Sequence, residues 1–284
     1  MERAYRILNV FTVEGGRLTG NPLCVFEDGR GLDDATLQAL ARQLNLSETT
    51  FVLPPTAAGA TARVRIFTPS FEMPFAGHPT LGTAQVVRAL TGAGDRVVLE
   101  MKAGLVEVTA AGDRWTLKAA RAPRTRAPEA REDELGAMVG LPPGSVRRPL
   151  WVDTGAEQLV LPVATPAQVQ AARPDPALLA RHARSPSMGE QMAYVWAPTG
   201  PGEVVARFFF LASGQLAEDP ATGSACANLG GWHLATGAPL PVRLTISQGA
   251  EVRRPSRLGL EVSAAGEIRV SGEVIELGRG NFRL

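Results

Sequence analysis

The feature that most constrains the fold is a short phrase that occurs twice, half a chain apart. Residues 78–84 read HPTLGTA, and residues 219–225 read DPATGSA. Proline, glycine, a small hydroxyl residue and alanine coincide, whereas the leading residue changes from His to Asp. The segment that follows each copy also closes on Thr-Gly-Ala, at 91–93 and 236–238. One long-range repeat predicts two homologous domains, since a solenoid needs several short repeats. Chance similarity is the alternative.

The composition is that of an ordinary globular protein with two domains. The chain has 284 residues, 45% of them apolar, and a formal net charge of +1, which gives no electrostatic case for nucleic acid or a membrane surface. No apolar run approaches the roughly 18 residues that span a bilayer, and residues 1–10 lack the features of a signal peptide. Cys24 and Cys226 have no metal-type spacing. We therefore expect a cytoplasmic protein with reduced cysteines and no metal site.

Hydrophobic periodicity and turn residues predict the elements of the first half. A helix should begin near Asp33 or Asp34, either of which can cap it. Its apolar face should carry Leu37, Leu40, Ala41 and Leu44. A second helix follows over 79–91. Strands are predicted over 5–12, 23–26, 50–53, 62–67, 96–101, 105–110 and 114–119.

The second half repeats this order after a polar, proline-bearing linker candidate at 121–130. Helices are predicted near 131–139, 176–183 and 220–235. Strands are predicted over 149–154, 158–162, 193–197, 203–210, 242–247, 251–254, 258–263, 268–271 and 273–277.

The predicted fold class is α+β, with two pseudo-symmetric domains that each wrap a curved mixed β-sheet or barrel around a central helix. The small residues of the two long predicted helices, such as Gly82 and Gly223, suit burial against strands. The predicted domains are 1–120 and 121–272. The C-terminal strand, 273–284, is a candidate addition to the first domain.

Each copy of the phrase is interpreted as a helix start. Pro79 and Pro220 suit the first helical position, which puts His78 and Asp219 at the preceding cap position. The first-turn amides then stay free and carry about half a positive charge. If both helix starts face one cleft, they form a site for a carboxylate or a developing anion. Two ordinary helix starts without a functional role are the alternative.

Five motifs, in order along the chain, are similar to those of a known family. They are GNP at 20–22, LSETTF at 46–51, FTP at 67–69, FAGHPTLG at 75–82 and EDPATGSA at 218–225. Together they resemble the PhzF-like phenazine-biosynthesis family, whose structural relatives are diaminopimelate epimerase and proline racemase. The resemblance spans nearly the whole chain.

The resemblance implies a diaminopimelate epimerase-like fold, with a substrate cleft between two domains and no cofactor. In the family's namesake enzyme, a dihydro-hydroxyanthranilate is isomerised by a proton shift between carbons. By this resemblance Glu48 is the catalytic acid/base. The residues that the resemblance assigns to substrate binding are Asn21, Gly77, His78, Asp219, Gly223 and Ser224, the last two helping to hold the substrate carboxylate.

The physical reading of Glu48 agrees with this role. A proton shuttle needs a carboxyl group whose pKa can be raised toward neutrality, and partial burial has that effect. Glu48 lies between Leu46 and the apolar strand start at Phe51, so closure of a cleft would desolvate it. Its predicted repeat partner, Glu190, lacks the Ser-Glu-Thr-Thr context and is interpreted as surface or structural. A surface role for Glu48 itself is the alternative.

Two other mechanisms are disfavoured. The cysteine-dependent epimerases and racemases place one thiol in each of two facing loops, but 72–79 and 213–223 contain no cysteine here. Cys226 falls within a predicted helix, where it is expected to be a small core residue. A hydrolase triad of Ser224, His78 and Asp219 is disfavoured because the chain has no Gly-x-Ser-x-Gly elbow.

We therefore expect a cofactor-independent isomerase that shifts a proton on a small carboxylate-bearing substrate. A non-catalytic small-molecule binding or regulatory protein that keeps the cleft is the rival. No nucleic-acid or membrane partner is expected. A homodimer is expected from the resemblance and from the apolar run at 204–211. An anion should bind the first-turn amides near Gly223 and Ser224, while Asp219 holds a donor group of the substrate.

Overall fold

The chain forms two units, and the computed structural model describes residues 2–212 and 214–284. Unit 1 comprises the residues up to Lys118 together with Ser271–Leu284, and unit 2 comprises Ala119–Val270. The last strand, β17 (Ile268–Arg283), begins in unit 2 and ends in unit 1. Unit 1 is therefore built from both ends of the chain.

Unit 1 consists of a mixed β-sheet and two helices. Its helices are α1 (Asp34–Leu44) and α2 (Gly77–Thr91). Its strands before the unit boundary are β1 (Glu2–Val10), β2 (Asn21–Phe26), β3 (Glu48–Leu53), β4 (Ala62–Phe67), β5 (Glu72–Met73), β6 (Arg96–Met101), β7 (Gly104–Ala111) and β8 (Arg114–Lys118).

Eight strands of unit 1 close into a barrel. Antiparallel pairs join β17 to β1, β1 to β2 and β3 to β4, whereas β2 and β3 run parallel. A parallel pair joins β4 to β6, and antiparallel pairs continue through β7 to β8. The pairing of β8 with β17 completes the ring. Closure removes the exposed edges that an open sheet of these strands would present.

The long helix α2 lies inside this barrel. It packs against seven of the barrel strands, β1 to β4 and β6 to β8, and residues 77–84 are all buried. Small residues permit the close approach: a Cβ at Gly82 would lie 2.5 Å from Leu23 Cδ2 and 3.0 Å from Val10 Cγ2. An alanine there would overpack the core and cost about 1–3 kcal/mol. The prediction of a central helix inside a curved sheet is confirmed.

Helix α1 packs on the barrel at β3 and β4. Asp33 caps it, and its side chain accepts a hydrogen bond from the Thr36 amide at 2.8 Å. The inner face of the helix joins a core cluster with Phe26 and Phe51, whose rings stack with centroids 4.9 Å apart. The helical residues buried in this cluster are Leu37, Leu40 and Ala41, with Leu44 partly buried. The predicted cap and apolar face are confirmed.

Unit 2 contains the remaining elements. Its helices are α3 (Glu132–Met138), α4 (Pro166–Ala171), α5 (Pro176–His182) and α6 (Gly223–Ala235). Its strands are β9 (Arg124–Arg126), β10 (Leu150–Asp153), β11 (Glu157–Pro162), β12 (Met192–Gly200), β13 (Glu203–Ala212), β14 (Gln215–Asp219), β15 (Val242–Gln248) and β16 (Ser256–Val262).

The strands of unit 2 form a mixed sheet that packs on α6. The order is β9, β10, β11, β12, β13, β15, β16, with β11–β12 and β13–β15 parallel and the other pairs antiparallel. Strand β14 pairs with β13 as a hairpin. Helix α6 packs against β9, β10, β11, β15 and β16 and is buried along most of its length. Among residues 2–212 and 214–284, no helix has the length and apolarity needed to cross a membrane.

Four short elements lie outside the predicted set: β5, β9, α4 and β14. Strand β9 falls within the predicted linker at 121–130 and pairs with β10, so this segment is part of the sheet. None of the four segments shows a clear hydrophobic period, which is the signal that sequence reasoning uses. Their positions are set by the strands beside them.

Two C-terminal predictions are wrong. The strand predicted over 251–254 is a turn, closed by a hydrogen bond from the Arg254 amide to the Gly249 carbonyl at 2.9 Å. The strands predicted over 268–271 and 273–277 are one strand, β17. Gly272 lies within this strand, and it is a glycine because the ring of Phe11 occupies the space that a side chain would need.

Candidate active site

The two copies of the repeated phrase do not occupy equivalent places. The first lies wholly within α2, whereas the second contains the end of β14, a turn and the start of α6. Each helix begins at a glycine, Gly77 in α2 and Gly223 in α6. The prediction that His78 and Asp219 occupy cap positions is therefore wrong, and neither proline stands at the first helical position.

A different repeat coincides with the elements. Residues 72–77 read EMPFAG and residues 218–223 read EDPATG, so both match Glu-x-Pro-x-x-Gly. In each copy the glutamate lies in a short strand, β5 or β14, and the glycine opens the long helix. In this register His78 corresponds to Ser224, since each is the second residue of its helix.

An arginine–glutamate pair holds each of these short strands. In unit 1, Arg65 Nη2 lies 2.6 Å from Glu72 Oε2, and Nε donates to Oε1 at 2.7 Å. In unit 2, Arg207 Nη2 lies 2.6 Å from Glu218 Oε2, and Nε donates to Oε1 at 3.0 Å. Each guanidinium also lies over the phenylalanine two residues later, 5.0 Å and 4.6 Å from the ring centroid. Sequence reasoning missed both pairs, although the shared Arg-x-Phe pattern is a signal for them.

In unit 1, Glu48 and His78 face one another. Glu48 begins β3, and His78 is the second residue of α2, which packs against β3. Nε2 of His78 lies 3.4 Å from Oε2 of Glu48, and the two side chains are 6% and 15% exposed. The fold therefore brings together two of the residues predicted for the site, within a largely buried environment.

The imidazole of His78 is neutral and has a defined tautomer. Burial lowers the pKa of His78 to about 3, although a backbone hydrogen bond with Pro22 opposes the shift. Proline has no N–H, so its carbonyl accepts and a ring N–H donates. Within the described residues Nε2 makes no hydrogen bond, which assigns the donor to Nδ1. Nε2 thus presents a lone pair to Glu48. The Glu48 carboxyl group can donate a hydrogen bond to this lone pair when it is protonated, but not when it is ionised.

Asn21 and Gly77 lie beside this pair. Asn21 is buried at the start of β2, which runs parallel to β3 with Leu23 opposite Glu48. The residue after Asn21 is the proline that accepts from His78, and Gly77 directly precedes His78 in α2. Four of the residues predicted for the site therefore form one cluster at the meeting of β2, β3 and α2.

In unit 2, Asp219 ends β14 and is held by the turn that follows it. Thr222 Oγ1 donates to Asp219 Oδ2 at 2.5 Å. The buried side chain of Gln248 donates from Nε2 to the Asp219 carbonyl at 2.9 Å and to Thr222 Oγ1 at 3.1 Å. The carboxylate therefore acts as an acceptor within its own turn. Gln248 comes from β15 and belongs to no motif, so sequence reasoning missed it.

The first turn of α6 carries Ser224 beside a buried polar network. Gln158 Nε2 donates to Ser224 Oγ at 2.9 Å. Asn228 Nδ2 donates to Gln158 Oε1 and to the Ala156 carbonyl, both at 2.8 Å. Asn228 Oδ1 accepts from the amide and hydroxyl of Thr154, at 2.9 Å and 2.7 Å. Sequence reasoning missed this network, because its members come from separate parts of the chain.

The family model described as "Phenazine biosynthesis-like protein" matches residues 8–278. That range covers both long helices, every strand from β2 to β16 and all the candidate site residues described above. The chain belongs to this family. The resemblance drawn from the five sequence motifs is confirmed.

Relatives of this chain carry isomerase names. A trans-2,3-dihydro-3-hydroxyanthranilate isomerase of Pseudomonas aeruginosa is 35% identical over 289 residues, covering 99% of this chain and 99% of that protein. An uncharacterized isomerase of Pasteurella multocida is 35% identical over 279 residues, covering 98% of this chain and 93% of that protein. This chain is an isomerase.

Solved structures share the fold of this chain. A Bacillus anthracis phenazine biosynthesis protein of the PhzF family has a TM-score of 0.86 and 21% identity, with 100% of both chains covered. A predicted epimerase from Pseudomonas aeruginosa has a TM-score of 0.80 and 29% identity, with 99% of both chains covered. A hydroxyproline epimerase from Agrobacterium vitis has a TM-score of 0.68 and 14% identity, covering 100% of this chain and 93% of that one. The predicted epimerase-like fold is confirmed.

Unit 2 has no carboxylate at the position that corresponds to Glu48. The strand residue that pairs with the arginine-covered phenylalanine is Thr49 in β3 and Ala193 in β12. The residue before it is Glu48 in the first case and Met192 in the second. Glu190, the predicted repeat partner, lies before β12 instead, where burial raises its pKa. The carboxylate at this position is therefore confined to unit 1.

The two cysteines are poor candidates for proton transfer. Cys24 lies in β2 and Cys226 in α6, and both are fully buried. Burial raises the pKa of Cys24 to about 12 and also raises that of Cys226. A thiolate is the reactive form of cysteine, and neither side chain is in that form near neutral pH. This agrees with the expectation from sequence that the chain does not use a two-thiol mechanism.

Proposed function

We propose that this isomerase shifts a proton between carbons of a small cyclic carboxylate, without a cofactor, and that Glu48 is the acid/base. The observation that carries the proposal is the 3.4 Å approach of Glu48 to Nε2 of His78. A buried, neutral imidazole interacts differently with the two protonation states of a neighbouring carboxyl group, because only the acid form can donate to Nε2. Such a partner suits a group that must first take a proton and then return it.

The reaction proceeds in two steps with no net gain or loss of atoms. Ionised Glu48 takes a proton from a saturated carbon of the substrate, and the electron pair of that C–H bond moves into the adjoining π system. Glu48, now a carboxylic acid, gives the proton back to a different carbon. His78 stays neutral and accepts a hydrogen bond from Glu48 between the two steps.

A single carboxylate supports a proton shift rather than racemisation by two opposed groups. Met192 stands at the position in unit 2 that corresponds to Glu48, and the buried cysteines remain thiols. One group that removes and returns the proton suffices for an isomerisation between two carbons. Racemisation by the two-group route requires a second acid at the opposite face of the reacting carbon.

Residues of unit 2 are proposed to bind the substrate. The amides of Gly223 and Ser224, at the start of the 13-residue helix α6, suit a carboxylate, since helix N-termini favour anions. Asp219 suits an amino or hydroxyl group, because its carboxylate accepts hydrogen bonds. An anthranilate-type ring, as in the name of the Pseudomonas aeruginosa relative, carries a carboxylate and an amino group on neighbouring carbons. We propose a cyclic amino carboxylate of this class as the substrate.

The test is solvent deuterium incorporation during turnover of trans-2,3-dihydro-3-hydroxyanthranilate in D₂O, followed by mass spectrometry. Wild type should place deuterium on the product carbon that receives the proton, because the acid proton of Glu48 exchanges with D₂O between the two steps. Glu48→Gln should lower kcat/KM by about 100- to 10,000-fold, the range that a general acid/base contributes. Glu190→Gln is the matched control, since it removes the carboxylate of the predicted repeat partner, which lies before β12, and it should keep the wild-type rate.

Two results would contradict the proposal. Undiminished exchange in Glu48→Gln would exclude Glu48 as the proton carrier. Absence of turnover and of exchange in wild type, across this compound and related cyclic amino carboxylates, would exclude the proposed substrate class.

A further inference from the structure

We propose that Gln158 and Asn228 are positioning residues that orient the Ser224 hydroxyl as a hydrogen-bond donor toward the substrate carboxylate. The inference deepens the proposed function and rests on it. It follows from the direction of each hydrogen bond in the buried network, which backbone groups determine.

The orientation of the Asn228 amide is fixed by two backbone groups. The Thr154 N–H can only donate, so the atom that it contacts at 2.9 Å must be the carbonyl oxygen Oδ1. The Ala156 carbonyl can only accept, so the atom that it contacts at 2.8 Å must be the amino nitrogen Nδ2. Flipping this side chain would place two donors together and two acceptors together, in a buried place where neither mismatch is relieved by water.

The fixed Asn228 amide then fixes that of Gln158. The second hydrogen of Asn228 Nδ2 is donated to Gln158 at 2.8 Å, so the accepting atom is Oε1. The other end of this amide is the nitrogen Nε2, and it contacts Ser224 Oγ at 2.9 Å. Because Nε2 has no acceptor capacity, the serine oxygen accepts this bond.

The hydroxyl hydrogen of Ser224 remains to be donated. It cannot point at Gln158, whose nearest atom is a donor. Among residues 2–212 and 214–284, no acceptor lies within hydrogen-bond distance for it. Ser224 therefore presents a donor at the first turn of α6, next to amides that are donors as well. Three donors at one place select an acceptor such as a carboxylate and reject an amino group.

The burial of the network indicates that its order is maintained without ligand. Gln158 is 2% exposed and Asn228 is fully buried, and both hydrogens and the oxygen of the Asn228 amide have partners. A donor that is already oriented lowers the entropic cost of binding. The effect of Gln158 should thus appear in the binding of a carboxylate and disappear when Ser224 has no hydroxyl group.

The test uses two stable probes that differ in one group, 3-hydroxyanthranilate and 2-aminophenol, which lacks the carboxylate. Binding is measured by calorimetry for wild type, Gln158→Met, Ser224→Ala and the double variant. Gln158→Met should lower the affinity for 3-hydroxyanthranilate by about tenfold and leave the affinity for 2-aminophenol within about twofold of wild type. In the Ser224→Ala background the same change should have no further effect, since the hydroxyl group that it orients is gone.

Controls separate positioning from a structural role. Gln168→Met removes another glutamine whose Nε2 donates to a serine, Ser145, at 3.1 Å, and it should leave the affinity for both probes unchanged. In turnover, Gln158→Met should raise KM for trans-2,3-dihydro-3-hydroxyanthranilate with kcat within about twofold. If Gln158→Met does not fold, Gln158→Glu can be used instead. Its side chain has the same size but accepts a hydrogen bond where glutamine donates one, and it should lower the affinity for 3-hydroxyanthranilate at least as much.

Each outcome bears on the inference. The inference is overturned if Gln158→Met lowers the affinity for 3-hydroxyanthranilate equally with and without the Ser224 hydroxyl. It is also overturned if the affinities for both probes fall equally. Either result would leave the proposed function intact. Failure of wild type to bind either probe would count against the proposed substrate class, and the assignment of Ser224 to a carboxylate would fall with it.

Discussion

At the scale of single residues, folding strongly alters the protonation of the buried histidine of unit 1. Burial lowers the pKa of His78 to about 3 from an ordinary value of 6.5. Between these two values the unfolded chain binds a proton that the folded chain does not. The contribution of His78 to stability is therefore fully present above about pH 6.5 and is lost progressively as the pH falls toward 3.

This gives a pH-dependent prediction for His78→Gln. The free energy of unfolding of wild type should fall more steeply with decreasing pH, by up to about 1.4 kcal/mol per pH unit, since one additional proton is taken up on unfolding. Urea titrations between pH 4 and pH 7 would measure both slopes. Parallel curves for the two proteins would show that His78 is not held neutral by the fold.

At the scale of elements, the same arginine–glutamate clamp occurs at the entry to each long helix. Arg207 and Glu218 are 8% and 10% exposed, and three backbone carbonyls near the end of α4 accept from the Arg207 Nη1 group. The clamp joins β13 to β14 directly before Asp219. Its counterpart, Arg65 with Glu72, joins β4 to β5 before α2. In both units the segment that leads to the site is thus anchored by an ion pair, which is more deeply buried in unit 2 than in unit 1.

Breaking the clamp of unit 2 should be costly because it leaves a buried charge without a partner. Arg207→Met should lower the free energy of unfolding by about 3–5 kcal/mol. Arg96→Met is the matched control: Arg96 and Glu107 also approach to 2.6 Å, but their side chains are 67% and 53% exposed, so the loss should be about 0–1 kcal/mol. Chemical denaturation of both variants measures this difference. Equal losses in the free energy of unfolding would mean that the clamp stabilises the protein no more than an exposed ion pair does.

At the scale of the whole molecule, the C-terminal segment completes the barrel of unit 1. Strand β17 pairs with β1 along its length, with Glu2 opposite Arg283, and it also pairs with β8. Without it the barrel would lack one strand, and the apolar helix α2 would face a gap. Residues at the end of the chain are therefore required for a core whose other strands are all formed by the first 118 residues.

A permuted fragment tests this dependence. Because Glu2 lies opposite Arg283 in an antiparallel pair, a short flexible turn can join residue 284 to residue 2, giving the order 271–284, turn, 2–118. This fragment should fold, with dispersed amide resonances and a cooperative unfolding transition. The same fragment with 271–284 replaced by a Gly/Ser segment of equal length should not. Cooperative folding of that control would show that β17 is dispensable.

Much of the local structure could be predicted from the sequence. Asp33 marks the start of α1, because its short side chain satisfies a free amide. Gly82 and its small neighbours indicate a helix that strands approach closely. The motif around Glu48 and the phrase beginning at His78 pointed to two residues that do lie together. These signals are carried by residues close in sequence, so they can be read without knowing the fold.

The register of the repeat and the polar networks were decided only by the tertiary structure. The phrase that matches best in sequence aligns His78 with Asp219, whereas the elements align His78 with Ser224. The bonds that connect Gln158 to Ser224, and Gln248 to Asp219, join separate elements and leave no local pattern. Local propensity and periodicity are fixed by neighbours along the chain, but a strand's partners and a buried amide's orientation depend on groups that only folding brings together.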